Sequence, residues 1–157
     1  MTLSDFAKEA VVQAKYQPKM DPVTGAITTF CNVFVAACAR SVGCEELNEF
    51  TANQMVCQME EVKTWVEVSA YAAASAAENG YLVVAGIKTG DLTKHGHVCI
   101  VVPGGTAWSK NFNQDMPFVA NVGKTNFHKR LASYAFTTEI QPRYFMWVGE
   151  AARRILS

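Results

Sequence analysis

The sequence changes character at Gly80, and this change limits the folds that the chain can adopt. Before Gly80, four segments have the apolar spacing and the capping residues of α-helices. After Gly80, short runs of Val, Ile and Ala are separated by turns that contain Gly or Pro, as in strands. Helices that precede a set of strands predict an α+β fold, in which N-terminal helices pack on a mostly antiparallel sheet.

The helix predictions depend on residues at the helix ends. Thr2 with Asp5, and Thr51 with Gln54, have the three-residue spacing of a capping box, in which each residue's side chain binds the other's backbone amide. Gly43 stands where a helix-ending glycine is expected. The predicted helices cover residues 3–15, a segment from a cap at Thr28 or Thr29 to residue 42, a segment that begins after Thr51, and residues 69–79.

Five strands are predicted in the second half of the chain, at residues 81–87, 97–102, 118–122, 131–136 and 143–147. No repeat, low-complexity segment or linker divides the sequence, so we predict one domain over residues 1–157. A chain of this length buries about 70% of the surface that its unfolded form exposes, which is enough for a core without disulfides or metals.

Charge and hydropathy exclude two classes of partner. The chain has 14 basic and 14 acidic residues and no basic cluster, so we expect no nucleic-acid binding, which needs a positive surface. No apolar run approaches the ~20 residues that span a bilayer, so we expect no membrane insertion. The first residues lack the basic and apolar regions of a secretory signal, which predicts synthesis in the cytoplasm and export, if it occurs, by another route.

The chain has five cysteines, at positions 31, 38, 44, 57 and 99. Because the number is odd, at least one thiol stays without an intramolecular disulfide partner. Cys38, Cys57 and Cys99 lie among apolar residues and are predicted to be small buried side chains. No CxxC pair occurs, so a structural zinc site is not expected.

Cys31 is the candidate nucleophile because it lies at a predicted helix start. There the unpaired amides and the positive end of the helix dipole are expected to lower the pKa of a thiol, and the same amides can donate to an oxyanion. The alternative is a packing role, because Cys31 shares a helical face with Phe34, Val35 and Cys38. A helix-start cysteine followed far downstream by a strand histidine is the chain order of papain-like hydrolases, which favours catalysis.

His97 is the candidate general base, because it opens a predicted strand. Gly96 before it carries no side chain and is expected to let a substrate approach the imidazole. Asn121, on the strand at residues 118–122, is the candidate that orients the imidazole and sets its tautomer. The alternative for Asn121 is an edge position that faces water, and Asp115 in the preceding loop competes for the orienting role.

A metal site is the second interpretation of the histidines. His95 and His97 lie two residues apart on one face of an extended segment, a spacing that suits two ligands of one ion. His128 or Asp91 would supply the third ligand. This alternative predicts a metal-dependent hydrolase.

Together these residues resemble a known family, the NlpC-type and CHAP-type peptidoglycan cysteine peptidases. Within it, the sequence is most similar to the compact amidase effectors that bacteria deliver by type VI secretion. The resemblance covers most of the chain. Its strongest parts are FCNVFV at residues 30–35, ANQM at 52–55, GYLVVAG at 80–86 and GHV at 96–98.

The resemblance implies a papain-like α+β fold and an enzyme that cuts the stem peptide of the cell wall, with the bond between D-glutamate and diaminopimelate as the expected target. A bond near the lactyl–L-alanine junction and a diaminopimelate cross-link are the alternatives. It implies Cys31 as nucleophile, His97 as base and Asn121 as the third residue, with no cofactor. Asn53 and His95, the latter in the loop at residues 88–95, are the implied substrate-binding residues. A monomer that acts in the periplasm of a target cell, and an immunity protein that neutralises it, are also implied. A non-catalytic interaction module of the same fold is the remaining alternative.

Overall fold

A computed structural model describes residues 1–91 and 94–149 of the chain. Within these residues it contains four α-helices and eight strands. The helices are α1 (Leu3–Ala10), α2 (Cys31–Ser41), α3 (Ala52–Glu61) and α4 (Ala70–Glu78). The strands are β1 (Lys19–Met20), β2 (Ile27–Thr28), β3 (Trp65–Val68), β4 (Val83–Ile87), β5 (His97–Ser109), β6 (Gln114–Asn121), β7 (Phe127–Leu131) and β8 (Arg143–Trp147). The last part of the predicted domain, residues 150–157, lies outside the described residues.

Six of the strands form one sheet in the order β3-β8-β4-β5-β6-β7, and every neighbouring pair is antiparallel. Strands β1 and β2 form a separate antiparallel pair that precedes α2. The prediction of an α+β fold with an antiparallel sheet is therefore confirmed. No helix in the described part of the chain is long and apolar enough to cross a membrane.

The two faces of the sheet belong to two hydrophobic clusters. On β5, Val98, Ile100 and Val102 pack with the helices α1, α2 and α3, whereas Cys99 and Val101 pack with α4. This division follows from the two-residue period of a strand, which points successive side chains to opposite faces. The long apolar run of β5 is therefore explained by burial on both faces.

The predicted helix ends agree with the structure at most positions. Thr2 and Thr51 both form complete capping boxes, and Gly43 and Gly80 have positive φ angles of 86° and 83° after their helices. The first helix is shorter than predicted, because α1 ends at Ala10 and a 3₁₀ turn follows at Ala14–Tyr16. Gln17 stabilises this early end by donating from its side-chain amide to the carbonyl of Val11.

Two strand predictions are wrong. Residues 131–136 are not a strand, because β7 already ends at Leu131 and a 3₁₀ turn at Ala132–Tyr134 follows. The strand at residues 97–102 does not stop at Pro103. It continues to Ser109 through a register shift between Val102 and Thr106, where the pairing with β6 is interrupted and Pro103 lies among the unpaired residues.

Candidate active site

Cys31 is the first residue of α2 and thus lies at a helix start, as predicted, but the predicted cap at Thr28 or Thr29 is wrong, because α2 begins directly after Phe30 and Thr28 belongs to β2. The residue before it, Phe30, provides no side-chain cap, so the first amides of α2 have no side-chain acceptor at the cap position. The Cys31 side chain is only 7% exposed and belongs to the cluster that holds Phe34 and Cys38. Both sequence interpretations of Cys31 thus describe its position: it lies at a helix start and on the core face of that helix.

The amides around Cys31 point to its sulfur, but they do not set the direction of its pKa. Burial raises the pKa of the Cys31 thiol, and the backbone amides of Val98, Asn32 and Cys31 itself lower it by a smaller amount. The expectation that the helix start lowers this pKa is therefore wrong for the free protein. The core position of the thiol outweighs the favourable amides.

The amide of Val98 also fixes where the thiol lies. Val98 follows His97 directly in β5, and its N–H is within hydrogen-bonding reach of the Cys31 sulfur. The start of α2 and the start of β5 are therefore adjacent. The structure therefore brings Cys31 next to the start of β5, the strand that His97 opens, although His97 comes 66 positions later in the sequence (97 − 31 = 66).

His97 is held by the end of the neighbouring strand β6. Its Nε2 lies 2.6 Å from Oδ1 of Asn121, and Nδ2 of Asn121 donates to the carbonyl oxygen of Thr125 at 2.9 Å. Because the Thr125 carbonyl can only accept, it turns the Asn121 amide so that its oxygen faces the imidazole. An oxygen acceptor requires the proton on Nε2, which leaves the lone pair on Nδ1 of the neutral ring.

The imidazole also depends on residues that the sequence did not single out. The His97 ring packs edge-on against Phe136, with a centroid distance of 5.3 Å. A Cβ atom added at Gly123 would lie 3.3 Å from Cε1 of His97, so glycine leaves room for the ring. Burial among these groups lowers the pKa of His97, and the hydrogen bond with Asn121 opposes this with a smaller effect. Gly123 was recognisable only as the residue after the short strand, and nothing in the local pattern indicated Phe136 or Thr125.

Asp115 does not lie near His97. It is exposed, pairs with Trp108, and is six positions before Asn121 on β6 (121 − 115 = 6). Six residues of strand correspond to about 20 Å. Asp115 as the orienting residue is therefore contradicted, and Asn121 is the residue that contacts the imidazole.

The ligands of the alternative metal site are not brought together. His128 lies on β7, where its Nε2 is 3.4 Å from Oγ of Ser4. His95, in contrast, is exposed in the loop before β5. Within residues 1–91 and 94–149, no group of three or more His, Cys, Asp or Glu side chains is arranged to hold a metal ion. The predicted combination of His95 and His97 with His128 or Asp91 is therefore not assembled in the described part of the chain.

A groove of about 650 Å³ opens beside Cys31. Its walls come from β2, the starts of α2 and α3, and the end of the loop before β5, and they include Thr28, Thr29, Cys31, Asn53, His95 and Gly96. The volume lies in the range of about 300–1,000 Å³ that is usual for ligand sites. Asn53 and His95, the predicted binding residues, both lie in this groove, and their role in binding remains a prediction. Residues 92 and 93 of the predicted groove loop lie outside the described residues.

Asn53 has a structural task in addition to its place in the groove. Its Oδ1 accepts from the backbone amide of Thr89 at 3.0 Å, and its Nδ2 is 3.3 Å from the hydroxyl of Thr89. A side chain at Gly96 would collide with Oδ1 of Asn53 and with the carbonyl of Ile87. Glycine at position 96 thus leaves space for Asn53 and for the Ile87 carbonyl, and the expectation that it also lets a substrate approach stays a prediction.

The two candidate catalytic groups are both neutral in the free protein. The pKa of the Cys31 thiol is raised and that of His97 is lowered, and burial is the main cause of both shifts. At neutral pH the thiol therefore keeps its proton and the imidazole has a free lone pair. These protonation states suit general-base activation of the thiol during attack, rather than a thiolate–imidazolium pair formed beforehand.

Comparison with known proteins adds no further assignment. No protein-family model matches the chain, and no curated protein sequence matches it significantly. The functional interpretation consequently depends on the geometry of the site and on the residues that form it.

Proposed function

We propose that this protein is a cysteine hydrolase that cleaves an amide bond in the stem peptide of bacterial peptidoglycan. The observation that carries the proposal is the contact of His97 with Asn121. The Asn121 amide, oriented by the Thr125 carbonyl, leaves Nδ1 of His97 unprotonated, and the next residue of β5, Val98, carries the backbone amide that reaches the Cys31 sulfur. A base with a defined tautomer and a thiol at a helix start are the two groups that nucleophilic acyl transfer requires.

The reaction follows from these groups. His97 takes the proton from the Cys31 thiol as the sulfur attacks the substrate carbonyl carbon. The negative charge that develops on the carbonyl oxygen lies near the amides at the start of α2. His97, now protonated, gives its proton to the leaving amine when the C–N bond breaks. Water then attacks the thioester, with His97 as base, which releases the acid and restores the thiol.

The side chains that line the groove are suited to a peptide substrate. Hydroxyl and amide side chains from Thr28, Thr29 and Asn53 line it together with His95, and these groups can pair with backbone N–H and C=O groups. The groove reaches Cys31, so a bound peptide would pass the nucleophile. The bond between D-glutamate and diaminopimelate is the proposed target, on the basis of the resemblance to peptidoglycan amidases.

The biological setting is part of the same proposal and comes from the resemblance. The protein would be an antibacterial effector, delivered to the periplasm of a target cell, where stem peptides are exposed. An immunity protein would protect the producing cells. No cofactor is needed for the reaction as written, because the thiol, the imidazole and water supply every proton and bond.

Digestion of purified cell wall tests the proposal. We expect the wild-type chain to release stem-peptide fragments whose masses identify the cleaved bond, and Cys31→Ala to release none. A thiol alkylator should abolish release, whereas a chelator should leave it unchanged. Equal release by the wild type and by folded Cys31→Ala would contradict cysteine chemistry. If neither releases any fragment, the non-catalytic interaction module becomes the better interpretation.

A further inference from the structure

A second depression lies at the end of β5 that is distant from Cys31. It has a volume of about 270 Å³ and lies between Trp108, near the end of β5, and Tyr134, in the 3₁₀ turn after β7. Trp108 is eleven positions after His97 on the same strand (108 − 97 = 11). Eleven residues of extended chain span up to about 36 Å. The depression is therefore separate from the groove beside Cys31.

Both aromatic side chains are exposed, Trp108 by 60% and Tyr134 by 68%. Large aromatic rings stabilise a fold mainly when they are buried, so exposed rings on the same depression contribute little to folding. Single exposed apolar residues are common on protein surfaces, but rings that flank one concave surface are a feature of binding sites.

Both rings are attached to ordered backbone. Trp108 lies in the β5–β6 ladder opposite Asp115, and the guanidinium group of Arg130 lies over the Tyr134 ring at 5.8 Å from its centroid. Arg130 belongs to β7, and its guanidinium group also lies 5.5 Å from the ring centroid of Phe127 on the same strand. Because the Trp108 backbone is paired in the sheet and the Tyr134 ring contacts Arg130, a ligand that stacks on these residues loses less free energy to ordering them.

The polar groups between the rings indicate the kind of ligand. Lys110, Asn111 and Ser133 also line the depression and supply an ammonium group, an amide and a hydroxyl. A sugar ring has apolar C–H faces and a rim of hydroxyl groups, so it can stack on an aromatic face while its rim binds polar side chains. These features favour one or two sugar rings.

We infer that Trp108 and Tyr134 form a saccharide-binding site that is distinct from the groove at Cys31. Its occupant is a short stretch of a saccharide chain, with its rings stacked on the two aromatic side chains. The identification of that chain as the N-acetylated glycan strand of the cell wall rests on the proposed function. The enzyme would then hold the wall at one end of β5 while it cuts a peptide at the other.

Binding of a linear tetrasaccharide of N-acetylglucosamine to the full chain tests this site. Saturation-transfer NMR and calorimetry should show weak, millimolar binding to the wild type. Trp108→Ala and Tyr134→Ala should each weaken it by about tenfold or more, whereas Trp108→Phe and Tyr134→Phe should retain most of it because the stacking face remains. Tyr71→Ala is the matched control, since Tyr71 is 76% exposed on α4 and should not contribute.

The change of tryptophan fluorescence gives an independent readout. Trp65 is 5% exposed and the Trp147 indole donates to Glu46, so quenching of an exposed tryptophan by the saccharide would report Trp108. No binding to the wild type, or equal binding to Trp108→Ala and the wild type, would overturn the inference. Competition by a soluble stem peptide without sugar would also overturn it and would indicate a peptide surface.

Activity assays separate this inference from the proposed function. Trp108→Ala should slow fragment release from intact cell wall, which carries the glycan, and should leave cleavage of a soluble stem peptide unchanged. Equal effects on both substrates would contradict a separate saccharide site. If the wild type cleaves neither substrate, the proposed function fails, and saccharide binding is judged on the NMR and calorimetry alone.

Discussion

The two halves of the candidate active site are built differently. Cys31 is held by backbone: it is the first residue of α2, and the amides that reach its sulfur belong to Val98, Asn32 and Cys31 itself. His97 is held by side chains and by space, through the amide of Asn121, the ring of Phe136 and the missing side chain of Gly123. The first arrangement tolerates substitution of its neighbours, because every residue type except proline supplies an N–H. The second depends on the identity of several residues.

This difference predicts a graded set of mutational effects. On the cysteine side, we expect the largest loss of activity from substitution of the nucleophile itself. On the histidine side, the loss of activity should decrease stepwise from the imidazole to its hydrogen-bond partner and then to the residue that only leaves space. The following experiments test that order, from the largest effect to the smallest.

Loss of the nucleophile should have the largest effect. Cys31→Ala is expected to lower kcat by at least ~10³-fold, because the covalent step has no other group to perform it. Cys38→Ala is the matched control on the same helix and cluster. It should keep kcat and reduce only the free energy of unfolding, by roughly 1–3 kcal/mol. Steady-state kinetics with chemical denaturation separates the two results, and similar kcat values for both variants would contradict the assignment of Cys31.

Loss of the base should have an effect of similar size. His97→Ala is expected to reduce kcat by about 10³-fold or more, since the neutral thiol then has no acceptor for its proton. His95→Ala, two positions away and exposed, should change kcat little. A chelator titration in the same assay should have no effect on the wild type. Inhibition that zinc reverses would favour metal-dependent hydrolysis instead.

Removal of the orienting amide should have an intermediate effect. Asn121→Ala should lower kcat by about 10–10³-fold, because the imidazole loses the acceptor that selects its tautomer but stays in place. Asp115→Ala should leave kcat unchanged, since Asp115 lies at the other end of β6. ¹⁵N NMR of the His97 ring measures its tautomer, which would not change if Asn121 only stabilised the fold. The Nε2–H tautomer should dominate in the wild type and lose its dominance in Asn121→Ala.

Filling the space at Gly123 should have a smaller effect. The methyl group of Gly123→Ala would lie 3.3 Å from Cε1 of His97, so the ring must shift by a few tenths of an ångström. Displacements of up to about 1 Å cost as much as 10²-fold in rate, and we expect a loss below that bound. Gly90→Ala is the matched control, because nothing lies within 4 Å of a Cβ atom built there. A rate loss as large as that of Asn121→Ala would contradict the proposed order.

The pH dependence should show the smallest effect. The pKa of His97 is lowered from 6.5 by burial, so the acid limb of kcat/KM should have its midpoint below pH 6.5. Since the unfolded chain binds this proton more readily than the folded one, the stabilising contribution is complete above pH 6.5. It is lost as the pH falls through the folded pKa. Denaturation of the wild type and of His97→Gln between pH 7 and 5 measures this difference, and parallel curves would contradict burial of a neutral imidazole.

Some errors of the sequence interpretation have a common cause. The α+β order, the capping boxes at Thr2 and Thr51 and the apolar faces of β4 and β5 were predictable, because neighbours within a few residues determine them. Strand β3 was missed and residues 131–136 were assigned wrongly, because sheet pairing decides both. Among the strands of the described residues, β3 pairs only with β8, whose register partners come almost 80 residues later.

The candidate site also has features that the local sequence determines and features that only the tertiary structure decides. The sequence by itself determined the two residue types with catalytic chemistry and their places at the starts of a helix and a strand, since local capping and strand patterns locate such starts. Only the tertiary structure decided that Asn121, and not Asp115, contacts His97, because strand register places one beside the ring and the other about 20 Å away. It also decided the direction of the Cys31 pKa. That pKa depends on how deeply the thiol is buried, and burial is produced by residues from the whole chain rather than by the helix start alone.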